Sequence, residues 1–368
     1  MNLNFAAAIQ ALGANAAFRI MNAARPAADY LLATFLPERL KPTYQAKSGS
    51  MTVRTTMAGL VGADSPYPPS GIVESSDFNE QVAKIANHVG LSEMAQRELQ
   101  ALLQALQGSA EIAATTVRDT ALNFLDKLVV QAHLDAMEYL RGMALSTGAL
   151  SWTYNKITLS VDYGLPAGNI FPQRTATDAY SGTTSKFWAD YRAGRSKLKG
   201  QVRAILAHPD TIDQIVTNDA NKVRVIAQDN VTGTYTIQKF VGSTEQLSSD
   251  ARDKITLVAY GKEGEIFDVN NPGQTLKLPF LKPGRIIMIG DPIPQGFSVG
   301  MGATQNPNNE LPIGYTHIGP TVEGDGLPGR WADLRVPDNA PWRLEGRGVT
   351  NGLPVIEVPE KLVVLNTA

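Results

Sequence analysis

The 368-residue chain contains no cysteine. Disulfides, zinc-thiolate sites and cysteine nucleophiles are therefore excluded, and strong cohesion must come from surface area. No stretch reaches the ~18 uninterrupted apolar residues that a bilayer span requires. The Ala-rich segment from Met1 to Leu36 lacks an early basic region, and Asn2, Asn4, Gln10, Asn15 and Arg19 interrupt its apolar character. A secretion signal is not expected there, and the product is expected to be soluble and made in a cytoplasm. An excess of one charge is also missing. With 18% charged residues and a formal net charge of -2, the composition argues against a dedicated nucleic-acid or membrane-surface binder.

Signatures of catalysis are equally scarce. There is no phosphate-binding loop, dinucleotide glycine fingerprint, His-Glu-x-x-His or nucleophile elbow. The four histidines, His88, His133, His208 and His317, show no ligand spacing, so neither a metal nor a cofactor is expected. Two carboxylate pairs invite acid-base work or calcium binding: Glu263 with Glu265, and Glu323 with Asp325 in a Gly-rich loop. Neither has EF-hand or catalytic spacing, and both read as solvated loop groups.

What the chain does contain is a run from Ser109 to Arg141 without Gly or Pro. As a helix it would reach roughly 50 Å. Ala114, Val117, Ala121, Leu125, Leu128, Ala132 and Tyr139 form an apolar stripe, and Leu122, Val129, Val130 and Leu140 widen it. Asp119, Asn123, Asp126, Lys127 and Glu138 occupy a narrower polar side. Such a helix is covered on most of its circumference, and Gly142 and Gly148 end it. Before it, Phe5 to Ala24 and Ala27 to Phe35 have helical spacing broken by Pro26 and Pro37, as in a terminal arm or a surface helical hairpin.

From Tyr44 the period changes to two. Met51, Val53, Thr55 and Met57 alternate with polar residues, a Gly/Pro-rich tip follows from Gly59 to Gly71, and Ile72 to Ser76 can return as a partner strand. A lone hairpin is marginal in water, so this one must lie against its own domain or a neighbour. Asp77 and Glu80 form a capping-box pattern ahead of a short helix carrying Val82, Ile85 and Val89, and Ser92 can cap the next helix.

After the long helix, Ile157, Leu159, Val161 and Tyr163 alternate along a strand that Gly164 and Pro166 stop. An α/β texture follows: a helix with Phe187, Trp188, Tyr191 and Leu198, a strand at Val202 to Leu206, a helix entered by Pro209, and strands at Tyr235 to Phe240, Ile255 to Tyr260, Glu265 to Val269 and Ile286 to Ile289. The end returns to strand at Trp342 to Leu344, Leu353 to Val358 and Leu362 to Leu365, with Asn351-Gly352 as a hairpin turn signal. The Ile157 to Tyr163 strand is available to pair with this C-terminal run. A basic cluster, Lys186, Arg192, Arg195, Lys197, Lys199 and Arg203 with Asp190 as its one acid, is either a solvated helix face or a surface for nucleic acid or an acidic partner.

This succession of parts resembles the major capsid protein of tailed bacteriophages, especially the lambda-type branch, the protein E family. Its most specific pieces are the Ile157 to Gly164 strand, the helix led by His208-Pro209-Asp210, and the ending Leu353-Pro354-Val355-Ile356 through Pro359-Glu360-Lys361 to Leu365. The resemblance implies an α+β tailed-phage capsid fold: an N-terminal arm at 1–43, an extended β-hairpin loop at 44–90, a peripheral domain with spine helix on an antiparallel sheet at 91–165 and 330–368, and an inserted α/β axial domain at 166–329. It implies a non-enzymatic shell of pentamers and hexamers around packaged double-stranded DNA, bound without sequence specificity. Scaffolding protein, portal and a decoration protein would be partners, with no membrane involved, and the product would be a virion component assembled in the host cytoplasm. Met51, Val53, Met57, Pro68, Pro69 and Ile72 become candidate inter-subunit contacts, and Lys186, Arg192, Arg195, Lys197 and Lys199 a surface facing DNA or scaffold. Lys47 and Lys84 lie near the hairpin, but nothing marks a partner Asn or promoting Glu, so cross-linking is not expected. A removable N-terminal scaffold domain is not expected, given the short stretch before the hairpin. The alternatives are another phage structural subunit, such as a tail tube or head-completion protein, and an enzyme using Glu323 and Asp325.

Overall fold

The computed structural model describes residues 30–54, 72–90, 94, 97, 101, 129–198, 202–229, 232–241, 246–268, 270–271, 273–290, 312–335 and 345–367. The expected arm helix at 5–24, most of the long run from 109, and the expected strand at 342–344 lie outside these residues. A short helix, α1 (Leu32–Phe35), leads into β1 (Glu38–Leu40) and the long ribbon of β2 (Gln45–Arg54) and β3 (Ile72–Gln81). Directly after it comes β4 (Ala83–Gly90), where the capping-box pattern predicted a helix. Eight consecutive register pairs join this segment to Glu345–Gly352, and its burial alternates residue by residue. Ile85 and Val89, which fit a helical period of four, also fit period two, and strand pairing decided the outcome.

The spine helix, α2, is described from Gln131 to Thr147, about 26 Å at helical rise. It continues through Gly142 and ends at Gly148, whose φ of 67° supplies the left-handed cap. Gly142 is a packing residue instead of a terminator, because a Cβ there would lie 1.7 Å from the carbonyl oxygen of Phe280. Glu138, expected on the polar side, is fully buried with Arg141.

A hairpin of β5 (Ala149–Tyr154) and β6 (Ile157–Asp162) follows, turning at Asn155 and Lys156, both with positive φ. Then come α3 (Phe187–Lys197), β7 (Val202–Ala207), α4 (Pro209–Thr217), β8 (Val223–Asp229), β9 (Thr234–Val241), β10 (Gln246–Leu247), β11 (Lys254–Ala259), β12 (Glu263–Phe267), β13 (Thr275–Pro279) and β14 (Arg285–Gly290). His208 caps α4, its Nδ1 accepting from the Asp210 amide at 3.3 Å, with Pro209 at the first turn. The chain closes with β15 (Gly314–Ile318), β16 (Arg330–Arg335), β17 (Glu345–Ile356) and β18 (Leu362–Asn366).

Two larger sheets hold these strands. In one, β17 pairs with β15 and β16, with β4 also hydrogen-bonded to it and β1 beyond β15; the other runs β10-β9-β11-β7-β14-β18, with β8 beside β9. Asn351 and Gly352 sit within continuous β17 and make no turn. The Asn351 side chain donates to the Pro320 carbonyl at 2.6 Å, and Gly352 leaves room for Met137 of the spine helix, whose Cε would be 2.7 Å from a Cβ. The C-terminal strand pairs with β14, not with β6, which bonds only to β5 among the described strands. Alternate residues of β14 show why. Ile287 and Ile289 face the core built around α2, while Ile286 and Met288 face a second core with Phe187, Trp188, Tyr191, Ile212, Val363 and Leu365. A sheet covered on both faces accepts continuous apolar strands such as Leu362–Leu365; the mostly exposed β6 does not.

Replacing Gly142 by Ala tests the helix-to-loop contact. Helix propensity favours Ala by about 1 kcal/mol, but the clash is with backbone and no rotamer relieves it. A net loss of roughly 1–3 kcal/mol is expected, read as a lower urea midpoint at unchanged slope.

Candidate assembly surface

The ribbon is laid out by its register, which runs through ten pairs from Gln45↔Gln81 to Arg54↔Ile72. Met51 stands opposite Ser75, Val53 opposite Val73, and Ile72 opposite Arg54. Met57, Pro68 and Pro69 lie outside the described residues. Among the described strands, β2 and β3 form a sheet of their own. At its root the two arms close on each other through the Val82 amide and Tyr44 carbonyl at 3.0 Å. Ahead of the first arm, His317 Nε2 meets the Thr43 carbonyl at 2.8 Å, and beyond the second, on β4 within the β17 sheet, Asn87 Oδ1 meets His133 Nε2 at 2.9 Å. A cleft of about 340 Å³ opens beside the root, lined by Tyr44, Gln81, Val82, Lys84, Val322 and Asn351.

Glu263 and Glu265 lie on strand β12, not in a loop, and Glu323 is drawn to a lysine. Lys84 Nζ lies 2.6 Å from Glu323 Oε1, and this hydrogen bond is the main reason the Glu323 carboxyl sits below its usual range. Asp325 occupies a left-handed turn position with φ of 56°. Among the described residues no cluster of His, Asp and Glu could hold a metal ion, and no helix is long and apolar enough to cross a membrane.

Of the nominated basic residues, Lys186 and Lys197 are exposed and Arg195 is half-buried. Arg192 is paired with Asp253 at 2.5 Å, and Asp190 is clamped by Arg174 and by the Tyr180 hydroxyl at 3.0 Å. Lys199 lies outside the described residues. The cluster is thus less basic than its sequence suggests, because Asp253, just ahead of β11, pairs with Arg192.

Sequence reasoning missed the charged group that ties the elements together. Arg141, with no exposed surface, donates to Glu138 Oε2 at 3.0 Å, Glu38 Oε1 at 2.9 Å and Thr316 Oγ1 at 2.8 Å. Arg330 also donates to Glu38, while Glu138 Oε1 accepts from the Leu32 amide and the Tyr260 hydroxyl, both at 2.8 Å. Burial alone would raise the Glu38 pKa, but Arg330 and Arg141 outweigh it and hold the carboxyl below the usual range. The only trace in the sequence is a Glu and an Arg three residues apart inside an apolar helix.

No family model matches the chain, and no curated protein matches it. Solved structures do. A prophage protein of E. coli CFT073 assigned as its capsid protein overlaps 96% of this chain and 99% of its own length, with a TM-score of 0.55 at 11% identity. The chain has the tailed-phage capsid fold. A phage-related protein of Bordetella bronchiseptica overlaps 96% of each chain at 9% identity and a TM-score of 0.48. The mature capsid of bacteriophage PhiM1 overlaps 88% of this chain and 82% of its own at 10% identity and 0.40. At these identities the likeness concerns fold, and within the capsid fold the Arg141 cluster joins the N-terminal segment, the spine helix and both sheets.

Truncating Arg141 to Ala leaves the fully buried Glu138 without its counter-charge and Glu38 with Arg330 alone, and is expected to cost roughly 3–5 kcal/mol in denaturant unfolding. Because the folded Glu38 pKa is depressed, its stabilisation is complete above the ordinary value of 4.5 and is lost as pH falls through the lower folded value. Glu38→Gln should therefore reduce stability at neutral pH and flatten the acid limb of a stability-versus-pH curve; an unchanged acid limb would show that other groups govern it.

Proposed function

We propose that this chain is a major capsid subunit of a tailed phage, of the lambda-type branch, which self-assembles into pentamers and hexamers of an icosahedral shell around packaged double-stranded DNA. The observation that carries this reading is the ribbon. Ten residues per arm span about 33 Å, the ladder joins no other sheet among the described strands, and a two-stranded ribbon alone is marginal. A neighbouring subunit supplies what it lacks, with Met51, Val53, Met57, Pro68, Pro69 and Ile72 as contacts. Overlap with the prophage capsid protein over almost the whole of both chains supports the same reading.

In this reading residues 1–43 are the arm, 44–90 the extended loop, 91–165 with 330–368 the peripheral domain, and 166–329 the axial domain. Sheet pairing crosses those boundaries four times: β1 of the arm pairs with β15, β4 of the loop ladders with β17, β15 works with the peripheral sheet, and β18 closes the sheet of the axial part. Lys186, Arg195, Lys197 and Lys199 face DNA or scaffolding protein through sequence-independent charge attraction, while Arg192 is already spent on Asp253. Scaffolding protein, portal and a decoration protein are the other partners, the last able to add a strand to an open edge. The subunit turns over no substrate, is assembled in the host cytoplasm and ends in the virion. Many modest contacts per subunit stabilise the shell through their number.

Deleting Gly59 to Gly71 is expected to leave a folded subunit, by circular dichroism, that forms no shells in sedimentation or negative stain. Normal shells from this deletion would refute the ribbon's role. Replacing Glu323 and Asp325 together by Ala should leave assembly unchanged, since the Lys84 pair is solvent-exposed and worth under about 1 kcal/mol.

A further inference from the structure

The hairpin of β5 and β6 has two unlike faces, and one of them is only half covered. By register Leu150 stands opposite Val161, Trp152 opposite Leu159 and Tyr154 opposite Ile157, so one face is apolar along both strands. The other carries Ser151, Ser160, Thr153 and Thr158, all exposed, with the two threonine hydroxyls 3.0 Å apart. On the apolar face burial fades from base to turn. Leu150 and Val161 are 1% and 4% exposed, Trp152 and Leu159 are half-buried, and Tyr154 and Ile157 reach 36% and 74%. The spine helix accounts for this gradient. Tyr139 meets Trp152 edge-on at 5.5 Å, and Met143 Sδ accepts from the Ser151 amide at 3.3 Å. One and two turns back from Tyr139, the same helical face offers only the short side chains of Ala136 and Ala132, the latter exposed. Beyond Trp152 the hairpin therefore loses its cover, and the Tyr154 ring stacks on that of Trp152 at 6.1 Å.

We propose that this face receives the ribbon of a second copy of the chain; the inference rests on the capsid reading above and adds the surface on which the ribbon lies. Its own chain leaves Ile157 open, so the cover belongs to another molecule. Area limits what that molecule is. The uncovered apolar surface is roughly 200–300 Å², well below the ~800 Å² per partner of a stand-alone complex. A contact of that size works as one of several made at once, as between copies in a closed assembly. Charge narrows the choice further. The face has no ionisable group, since Lys156 sits in the turn and Asp162 lies on the hydroxyl side at the base; it suits an apolar ladder and not nucleic acid or an acidic partner. The ribbon matches it in spacing. Val53 pairs with Val73, and Met51 stands two residues back, a rise of about 6.8 Å against the 6.1 Å between the Trp152 and Tyr154 rings. Ribbon and hairpin are both two-stranded ladders that join no other sheet among the described strands. Stacked face to face at about 10 Å, each supplies the layer that the other lacks.

Because the chain has no cysteine, introduced thiols report this contact without background. Val53→Cys and Ile157→Cys are made as separate full-length subunits, co-assembled, and treated with a bismaleimide spanning about 10 Å, since packed sheets lie beyond disulfide reach. A covalent dimer is expected from the mixture and from neither variant alone. Dimers from Ile157→Cys alone would show hairpin packed on hairpin, and an intramolecular link in a chain carrying both thiols would show the ribbon folded onto its own hairpin; either overturns the proposal. Electron microscopy of the same mixture separates this inference from the reading it rests on. Shells without the mixed dimer overturn the docking and leave the proposed function standing, whereas neither shells nor dimer overturns both. Ile157→Asp, at an exposed position, should fold normally by circular dichroism and lower shell yield roughly tenfold or more. Thr158→Asp, on the hydroxyl face, should assemble like the wild type; equal loss from the two substitutions would overturn the assignment of the face.

Discussion

The Arg141 guanidinium is the point at which the subunit's separate pieces become one body. An arginine with no exposed surface has lost its hydration, and only complete hydrogen bonding by opposite charge makes such burial tolerable. Its partners come from distant stretches: Glu38 ahead of the ribbon, Glu138 one turn earlier on the spine helix, and Thr316 in the sheet built on β17. Glu138 carries the connection to Tyr260 at the end of β11, and Thr316 passes it to the Leu36 carbonyl. Apolar packing is non-directional and would accept these elements at several offsets. A buried fork of fixed geometry accepts one, so the cluster sets register more than it adds net stability.

With that register set, the spine helix lies between two sheets of different character. Its Met137 and Leu140 pack in a core with Leu353 and Val355 of β17 and with Ile287 and Ile289 of β14. The far face of β14 and β18 meets α3 and α4 through a second core. From Met137 to Thr147 no residue of the helix is exposed, so Glu138 is buried and must find Arg141, Leu32 and Tyr260. Gly142 follows from the same enclosure, because the chain at Phe280 crosses the helix at backbone contact.

The sequence made legible those elements whose local preference agrees with their surroundings. The helix beginning Phe187, the His208-Pro209 cap, and the strands at 202–207, 285–290 and 362–366 are of this kind, and so is the start of the ribbon. Elements defined by a distant partner were not legible. The Asp77 to Glu80 pattern is a sound helix start in isolation, yet β17 offers β4 a full ladder. Asn351-Gly352 carries a turn signal, yet the glycine is there for Met137 and the asparagine for Pro320. The hairpin partner of Ile157–Asp162 is Ala149–Tyr154, whose first residues follow a helix cap and whose turn, Asn155-Lys156, lacks the usual glycine. For the candidate surface, alternation marked the ribbon, but the contact of His317 with the Thr43 carbonyl beside its root joins residues 274 positions apart, and no pattern along the chain encodes that.

The Arg141 cluster and the buried histidines are answered in different ways. At the cluster, charge is buried and hydrogen-bonded, so the joint holds at any pH that keeps Glu38 ionised. His133 and His317 are buried and meet their partners through Nε2, and burial lowers the pKa of both, with the Arg330 charge adding to it at His133. Arg330 takes part in both: it donates to Glu38, and its charge bears on His133. One guanidinium therefore favours an ionised carboxylate on one side and a neutral imidazole on the other, and the same charge that helps fix the body keeps its buried histidine uncharged.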